Sequence, residues 1–323
     1  ASTEELLAIA GAIGRVGHGV FQAAIHHPEV PDSFPWLRAV AATTGRPVIF
    51  NLNQPDTDPD LWREDLRLLD EAQAEGLDVL AQVSGRPVGI LESWAATVNP
   101  FMLCPTWGLI GQLGEEERLA HLRRDDVWAA LTTEAPAVWT DFITAITRSW
   151  DKLYPFSGEA DYEPDPTATC AAIARRTGAT PAEVAYDQLM TDQGRGLLYF
   201  PLFNYSNHNL DHLWELHQHP HTRMGLADAG AHCGTIADGG MPTFMLQFWA
   251  RDRARGAHLP LEWLIHRQTR QTAELYGLRD RGLVAPGYRA DLNVIDMDHL
   301  SVELPHLVGD LPTGANRYVQ RAR

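Results

Sequence analysis

The sequence predicts an α/β fold built on a parallel sheet. Three observations carry that expectation. Amphipathic helical stretches alternate with short apolar strands, the joints between them are short, and the strands are apolar on both faces. Strands covered by helices on both sides read this way, and parallel neighbours need the crossover helices that the alternation supplies. The 323 residues suit one large domain with a small appendage.

The elements follow in order. Ser2-Thr-Glu-Glu5 is a capping box, and Leu6, Leu7, Ile9, Ala10 and Ile13 give the first helix its apolar face until Gly17 and Gly19 end it. Residues 19–25 are short, apolar and strand-like. A second helix spans about Ser33 to Thr44, with Gly45 placed as its C′ residue and Pro47 beyond. Residues 47–53 form the next strand. Asp58-Pro-Asp-Leu-Trp62 opens a third helix that runs to Glu75 and stops at Gly76. Residues 77–83 are again a strand.

Residues 85–192 break this rhythm. They read as a helical, Trp-rich insertion punctuated by proline, and Trp94, Trp107, Trp128 and Trp150 are expected to pack its own core. The alternation resumes with a strand at 196–200, a helix at 210–217 and a strand at 222–227. Helices follow at about 241–256 and 261–276. From Gly282 the texture changes to turns, with a strand expected within 287–296 and another possible at the Tyr318-Val-Gln320 run.

Composition excludes several partners. Lys and Arg number 26 against 42 Asp and Glu, a net charge of −16, whereas a phosphate backbone or an anionic membrane needs a cationic face. No apolar run approaches the roughly 18 residues of a membrane span. Cys104, Cys170 and Cys233 are scattered and odd in number, which fits a reducing, cytoplasmic setting better than a disulfide framework. The chain opens on Ala1 without a signal peptide and stops abruptly after Tyr318-Val-Gln320. A piece of a longer polypeptide is therefore expected.

The segment Met224-Gly-Leu-Ala-Asp-Ala-Gly-Ala-His232 carries the strongest chemical signal. An apolar strand ends at Asp228 and small residues follow, leaving room for a ligand near the backbone. Parallel α/β sheets gather their chemistry at the C-terminal strand ends. Asp228 is thus a candidate metal ligand, general base, or both. A carboxylate that merely caps the following turn is the plain structural alternative.

A second segment runs Thr272-Ala-Glu-Leu-Tyr-Gly-Leu278, Arg281-Gly-Leu-Val-Ala-Pro-Gly287 and Ala290-Asp-Leu-Asn-Val-Ile-Asp296. This order resembles the closing segment of the amidohydrolase superfamily, where the last barrel helix hands the chain to a small β-sandwich. Gly225-Leu-Ala-Asp-Ala-Gly-Ala-His232, Phe248-Trp-Ala-Arg-Asp-Arg253 and Asp310-Leu-Pro-Thr-Gly314 are similar to the N-acyl-D-amino-acid deacylase, or D-aminoacylase, branch. So are Gly19-Val-Phe-Gln22 and Gly45-Arg-Pro47. The resemblance implies a partial (β/α)8 TIM-like barrel over 1–283, interrupted by the insertion, and part of a β-sandwich over 284–323. It also implies a divalent metal, usually zinc, hydrolysis of an N-acyl amino acid or similar small amide, and Asp228 as metal ligand and proton shuttle beside His232. The missing partner would be the N-terminal part of the same polypeptide.

Departures from the family accompany the likeness. The family's first-strand His-x-His pair is absent. His217-Gln-His219 and His219-Pro-His221 precede the Asp228 strand, and are expected as surface histidines at the opposite face. The two middle strand ends, 51–54 and 82–86, lack the family's histidines. There Asn53, Gln54, Gln82 and Arg86 are candidate substrate-binding residues. Arg86 suits a substrate carboxylate because a guanidinium matches it bidentately, although a structural ion pair is an equal alternative. Tyr205 and His208 follow the 196–200 strand toward the mouth, and His26 and His27 follow the first strand. An enzyme is the leading reading. A non-catalytic fragment, or a barrel-derived binding protein without metal ligands, stays open beside it.

Overall fold

The computed structural model describes residues 2–26, 29–136, 141–225, 227, 230 and 232–323. The chain divides into two compact units. One comprises Ala1–Pro87, Phe203–Ala227 and Met241–Ser301; the other comprises Val88–Leu202, Asp228–Gly240 and Val302–Arg323.

The first unit holds the parallel sheet that the alternation predicts. Its strands are β1 (Phe21–Ala23), β2 (Val48–Leu52), β3 (Val79–Ser84) and β7 (Thr222–Gly225), in the order β1-β2-β3-β7 and all parallel. Helices α1 (Thr3–Val16), α2 (Val30–Thr44) and α3 (Leu61–Ala74) connect or flank the early strands, and α10 (Asp211–Gln218) leads into β7. Local chemistry sets their ends. The Ser2 hydroxyl accepts the Glu5 amide N–H, while Gly17 and Gly45 adopt the left-handed C-cap conformation that a side chain would strain. α2 begins at Val30, three residues before the Ser33 expected, because Pro31 is tolerated in a first turn.

Val48, Phe50, Leu52, Val79, Ala81 and Val83 are fully buried, and Phe34 of α2 meets Phe50 edge-on at 5.8 Å. Each of the valine, leucine and phenylalanine side chains contributes about 1.5–3 kcal/mol on burial. Helix α11 (Met241–Phe244) continues as a π-helix over Met245–Asp252. Helix α12 (Leu261–His266) continues through a π turn, Arg267–Gln271, into α13 (Thr272–Leu275).

The second unit is built on β4 (Val88–Glu92), β5 (Tyr154–Phe156) and β6 (Leu197–Phe203), in the order β4-β6-β5, with β5 and β6 antiparallel. Around them stand α4 (Pro105–Ile110), α5 (Glu115–Leu122), α6 (Asp125–Thr133), α7 (Asp141–Arg148), α8 (Cys170–Thr177) and α9 (Pro181–Gly194). The tryptophans pack as expected. Trp94 stacks on Phe101 and Trp107, and Trp107, Trp128 and Trp150 pack against the same buried cluster.

β4 and β5 were not legible as strands, since their short apolar runs sit among helical signals. At the C-terminus β8 (His306–Val308) pairs antiparallel with β9 (Arg317–Val319). The strand expected within 287–296 does not form. Leu292 and Val294 stay exposed, and no described strand offers that segment a partner.

Candidate functional site

The C-terminal ends of β2 and β3 and the loop after β6 meet in one buried polar network. Asn204 sits at its centre with φ of +65°, a left-handed conformation that asparagine tolerates. Its side-chain oxygen accepts the Gln54 main-chain N–H at 2.7 Å, and its main-chain N–H returns to the Gln54 carbonyl at 3.0 Å. Its amide nitrogen donates to Asn53 Oδ1 at 2.7 Å and to Ser84 Oγ at 2.8 Å. Ser84 Oγ donates to the Arg86 carbonyl at 2.8 Å, and His217 Nε2 donates to the Ser84 carbonyl at 3.1 Å. Gln54 closes the other side: its Nε2 donates to the Pro59 carbonyl, and its Oε1 accepts the Ser206 amide.

Asn53, Gln54 and Arg86 therefore stand at the expected strand ends, with exposures of 5%, 0% and 1%. Arg86 lies over the Phe244 ring at 5.6 Å. Tyr205 is fully buried, and its hydroxyl accepts from Arg255 Nη1 at 3.2 Å. His208 has φ of +52°, and its ring lies edge-on to Tyr205. Gln82 belongs to a different group. It is in register with Asn51 and Arg223 on the neighbouring strands and accepts from Gln22 Nε2 at 2.8 Å. Asn51 in turn holds both main-chain polar groups of Ile25. His26 is exposed, and His27 lies outside the described residues.

Ser84 and Asn204 were not singled out from sequence. The available signal was weak: a serine before glycine at a strand end, and an asparagine opening a loop. His217 corrects the expectation of a surface histidine. It is fully buried against Trp249, whose indole N–H donates to the Gly85 carbonyl. Its apolar neighbours on α10, Leu213 and Leu216, show that it belongs to the helix's inward face. His219 and His221 are partly exposed and lie 3.2 and 3.9 Å from Asp70.

Asp228 lies outside the described residues. The turn after it is well anchored within the second unit. The Cys233 carbonyl accepts from the Tyr318 amide at 2.7 Å, Gly234 from the Thr97 amide at 3.1 Å, and Thr235 from the Leu91 amide at 2.8 Å. His232 is exposed, with φ of +51°, and its carbonyl accepts from the Thr235 and Ile236 amides.

Glu92, at the end of β4, is fully buried, and neither carboxyl oxygen has a partner among the described residues. Burial pushes its carboxyl well above the ordinary value. Burial, reinforced by Glu92, also raises the Cys170 thiol to about 12, so that sulfur is held as an unreactive thiol. A cavity of about 690 Å³ opens in this unit between Trp94, Arg118, Phe156, Asp192, Arg195 and His306.

Among the described residues, no three His, Cys, Asp or Glu side chains converge as a metal site. The strand-end network supplies carboxamides, a hydroxyl and a single imidazole, that of His217, whose Nε2 is committed to the Ser84 carbonyl; this set does not fit zinc as several imidazoles or thiolates would. No described helix is long and apolar enough to cross a membrane.

Comparison with known proteins gives a family and a fold. The model of the amidohydrolase family matches residues 2–318. An uncharacterized protein of Mycobacterium tuberculosis, and its counterpart in Mycobacterium bovis, are 33% identical over 133 residues, covering 40% of this chain and 21% of theirs. A D-aminoacylase crystal structure defining a novel subset of amidohydrolases matches with a TM-score of 0.50 at 18% identity. It covers 93% of this chain and 51% of its own. A D-aminoacylase mutant in complex with CuCl2 gives 0.50 at 17% identity, with the same coverage. The chain spans about half the length of these solved structures, and the likeness to them is one of fold.

Proposed function

The chain belongs to the amidohydrolase family, and from that premise we propose that it forms part of a hydrolase of non-peptide carbon–nitrogen bonds, with N-acyl-D-amino acids as substrate and Asp228 as proton carrier. The observation that supports the reading is the family match over nearly the whole chain, joined to a parallel sheet whose last strand, β7, ends at Gly225, three residues before Asp228 in the sequence. In such sheets the C-terminal strand ends collect reactive groups. The rest of the polypeptide, preceding this chain, is the proposed partner.

The chemistry assigned to this chain is proton transfer and binding. A carboxylate at Asp228 takes a proton from the attacking water as oxygen bonds to the acyl carbon. It returns that proton to the amide nitrogen as the C–N bond breaks, releasing a carboxylate and an amine. Arg86, at the end of β3, is the proposed partner of the substrate carboxylate. Asn53, Gln54, Gln82, Tyr205 and His232 are proposed to shape or border the substrate site. Asp228 is also the proposed protein ligand of a divalent metal, zinc first among the candidates, which would supply polarisation of the amide carbonyl when bound.

The test uses the complete polypeptide with N-acetyl-D- and N-acetyl-L-amino acids. Asp228→Asn is expected to lower kcat by about 10²–10⁴-fold, the range of a positioned general base. Near-normal turnover in that variant removes Asp228 from the mechanism. Metal analysis of the same preparation separates this reading from a binding protein: absence of a stoichiometric divalent ion favours the latter. The 323-residue chain alone is expected to show no hydrolysis.

A further inference from the structure

We propose that Arg267, held to Thr222 at the foot of β7, is a buried receptor for one small monovalent anion, a carboxylate or a halide. The site lies at the N-terminal end of the strand, three residues before Gly225.

Arg267 is 0% exposed. Its Nη2 donates to Thr222 Oγ1 at 3.0 Å, and its guanidinium carbon lies 5.5 Å from the Trp263 ring centre. Nε and Nη1 have no acceptor among the described residues. The Thr222 hydroxyl is itself committed, donating toward the carbonyls of Leu216 and His219. Burial first, and then the like charge of Arg223, pull the guanidinium down to about 9, and no carboxylate among the described residues acts against them.

Arg223 is half-buried. Its Nη1 donates to the carbonyls of Pro220 and Thr222, and its register with Gln82 puts it on the strand face opposite Thr222, so it adds like charge rather than a donor to the Arg267 site. Asp78 and Glu274 act on Arg223 but not on Arg267. One turn beyond Arg267, the side-chain oxygen of Gln271 lacks a donor among the described residues. The other ionisable neighbour, His217, is an imidazole kept neutral by burial and by Arg267, so it brings no negative charge.

An ion removed from water without a counter-charge costs several kcal/mol. Lysine could answer by shedding its proton, but arginine stays charged at physiological pH. What remains is an anion, and burial limits its size. A carboxylate or halide meets two or three N–H donors, whereas a phosphate needs more donors and brings a second charge. Because β7 ends the sheet order, a carboxylate has two possible sources: a free ion, or an acidic side chain of a segment lying beside that strand.

Thermal unfolding distinguishes the sources. The 323-residue chain and its Arg267→Gln variant would be titrated with sodium acetate, exchanged at constant ionic strength for the bulkier methanesulfonate. A saturating rise of several degrees in Tm for the parent, absent in the variant, identifies a free-ion site. No acetate response in the complete polypeptide, together with a loss of several degrees in its Arg267→Gln variant, identifies a side-chain carboxylate. The proposal is overturned if acetate moves parent and variant in parallel. It is equally overturned if neither the 323-residue chain nor the complete polypeptide responds and Arg267→Gln is as stable as its parent, the result expected for removal of an uncompensated buried charge.

Discussion

Asn204 and Gln54 are 150 residues apart in sequence, yet they exchange two hydrogen bonds, at 2.7 and 3.0 Å. The pairing has the form of two strand residues, but one acceptor is a side-chain oxygen. It ties the loop after β6 to the end of β2, and the second nitrogen contact, to Ser84, extends the tie to β3. The carboxamide thus joins three separate chain segments without a charge, in a place where an unpaired charge would be costly.

Asn204→Ala is expected to destabilise the protein by about 3 kcal/mol, since it strands buried partners on Gln54, Asn53 and Ser84 and leaves alanine at a positive φ. Asn204→Gly should recover only the backbone part, about 1 kcal/mol. Urea unfolding of the three proteins measures both steps. Equal stability of the alanine and glycine variants would show that φ contributes nothing.

This network explains what the sequence made legible and what it did not. Val48–Leu52 and Val79–Ser84 announce themselves because apolar runs bounded by Gly and Pro depend on local pattern alone. The positions of Asn53 and Gln54 at a strand end were legible for the same reason. Their partner was not, because the contact with Asn204 depends on a chain reversal far downstream. The inward turn of His217 is hidden in the same way: its neighbours His219 and His221 are polar and partly exposed, while helical phase turns His217 onto Trp249. The segment at 290–296 has an alternating strand pattern, but a pattern without a partner strand forms no ladder.

Asp65 gives the first pH-dependent expectation. It is 2% exposed, and burial, with Glu64 and Asp58 adding to it, raises its carboxyl to about 7. The folded state therefore holds a proton that the unfolded chain releases near 3.8. Stability from this group is full below the unfolded value and is lost as pH rises toward 7, at up to about 1.4 kcal/mol per pH unit. Asp65→Asn should be little different from the parent at pH 4 and relatively more stable at pH 8. A variant-minus-parent difference that is flat across urea midpoints from pH 4 to 8 would contradict this.

His212 and His217 act in the opposite direction. Burial, with Arg253 and Arg63 behind it for His212 and Arg267 for His217, lowers both to about 3. Neutral imidazoles are favoured in the fold, so this contribution is present above 6.5 and is lost as pH falls toward 3. Between about pH 4.5 and 6.5 the two histidines oppose two buried carboxyls, Asp65 and Glu92, so the four shares roughly cancel and net stability should change little with pH. Neither His212 nitrogen has a partner among the described residues. His212→Phe should therefore remove one histidine's share without stranding a hydrogen-bonding group, and turn a nearly flat profile of urea stability into one that falls with pH by about 1.4 kcal/mol per unit over that window.

Gly225, the last residue of β7, tests how tightly the sheet is fitted beside the strand leading to Asp228. A Cβ placed there would stand 2.0 Å from Gln82 Nε2 and 2.4 Å from Gln82 Cγ. Gly225→Ala must therefore displace the Gln82 side chain and break its hydrogen bond from Gln22. Overpacking of this kind costs about 1–3 kcal/mol. Because the obstructing atoms are side-chain atoms, shortening Gln82 should relieve the strain. The double variant Gly225→Ala, Gln82→Ala is expected to be more stable than the sum of the single effects predicts, by about 1 kcal/mol or more. Additive losses in urea unfolding would mean that the β7 backbone, rather than Gln82, yields to the added methyl group.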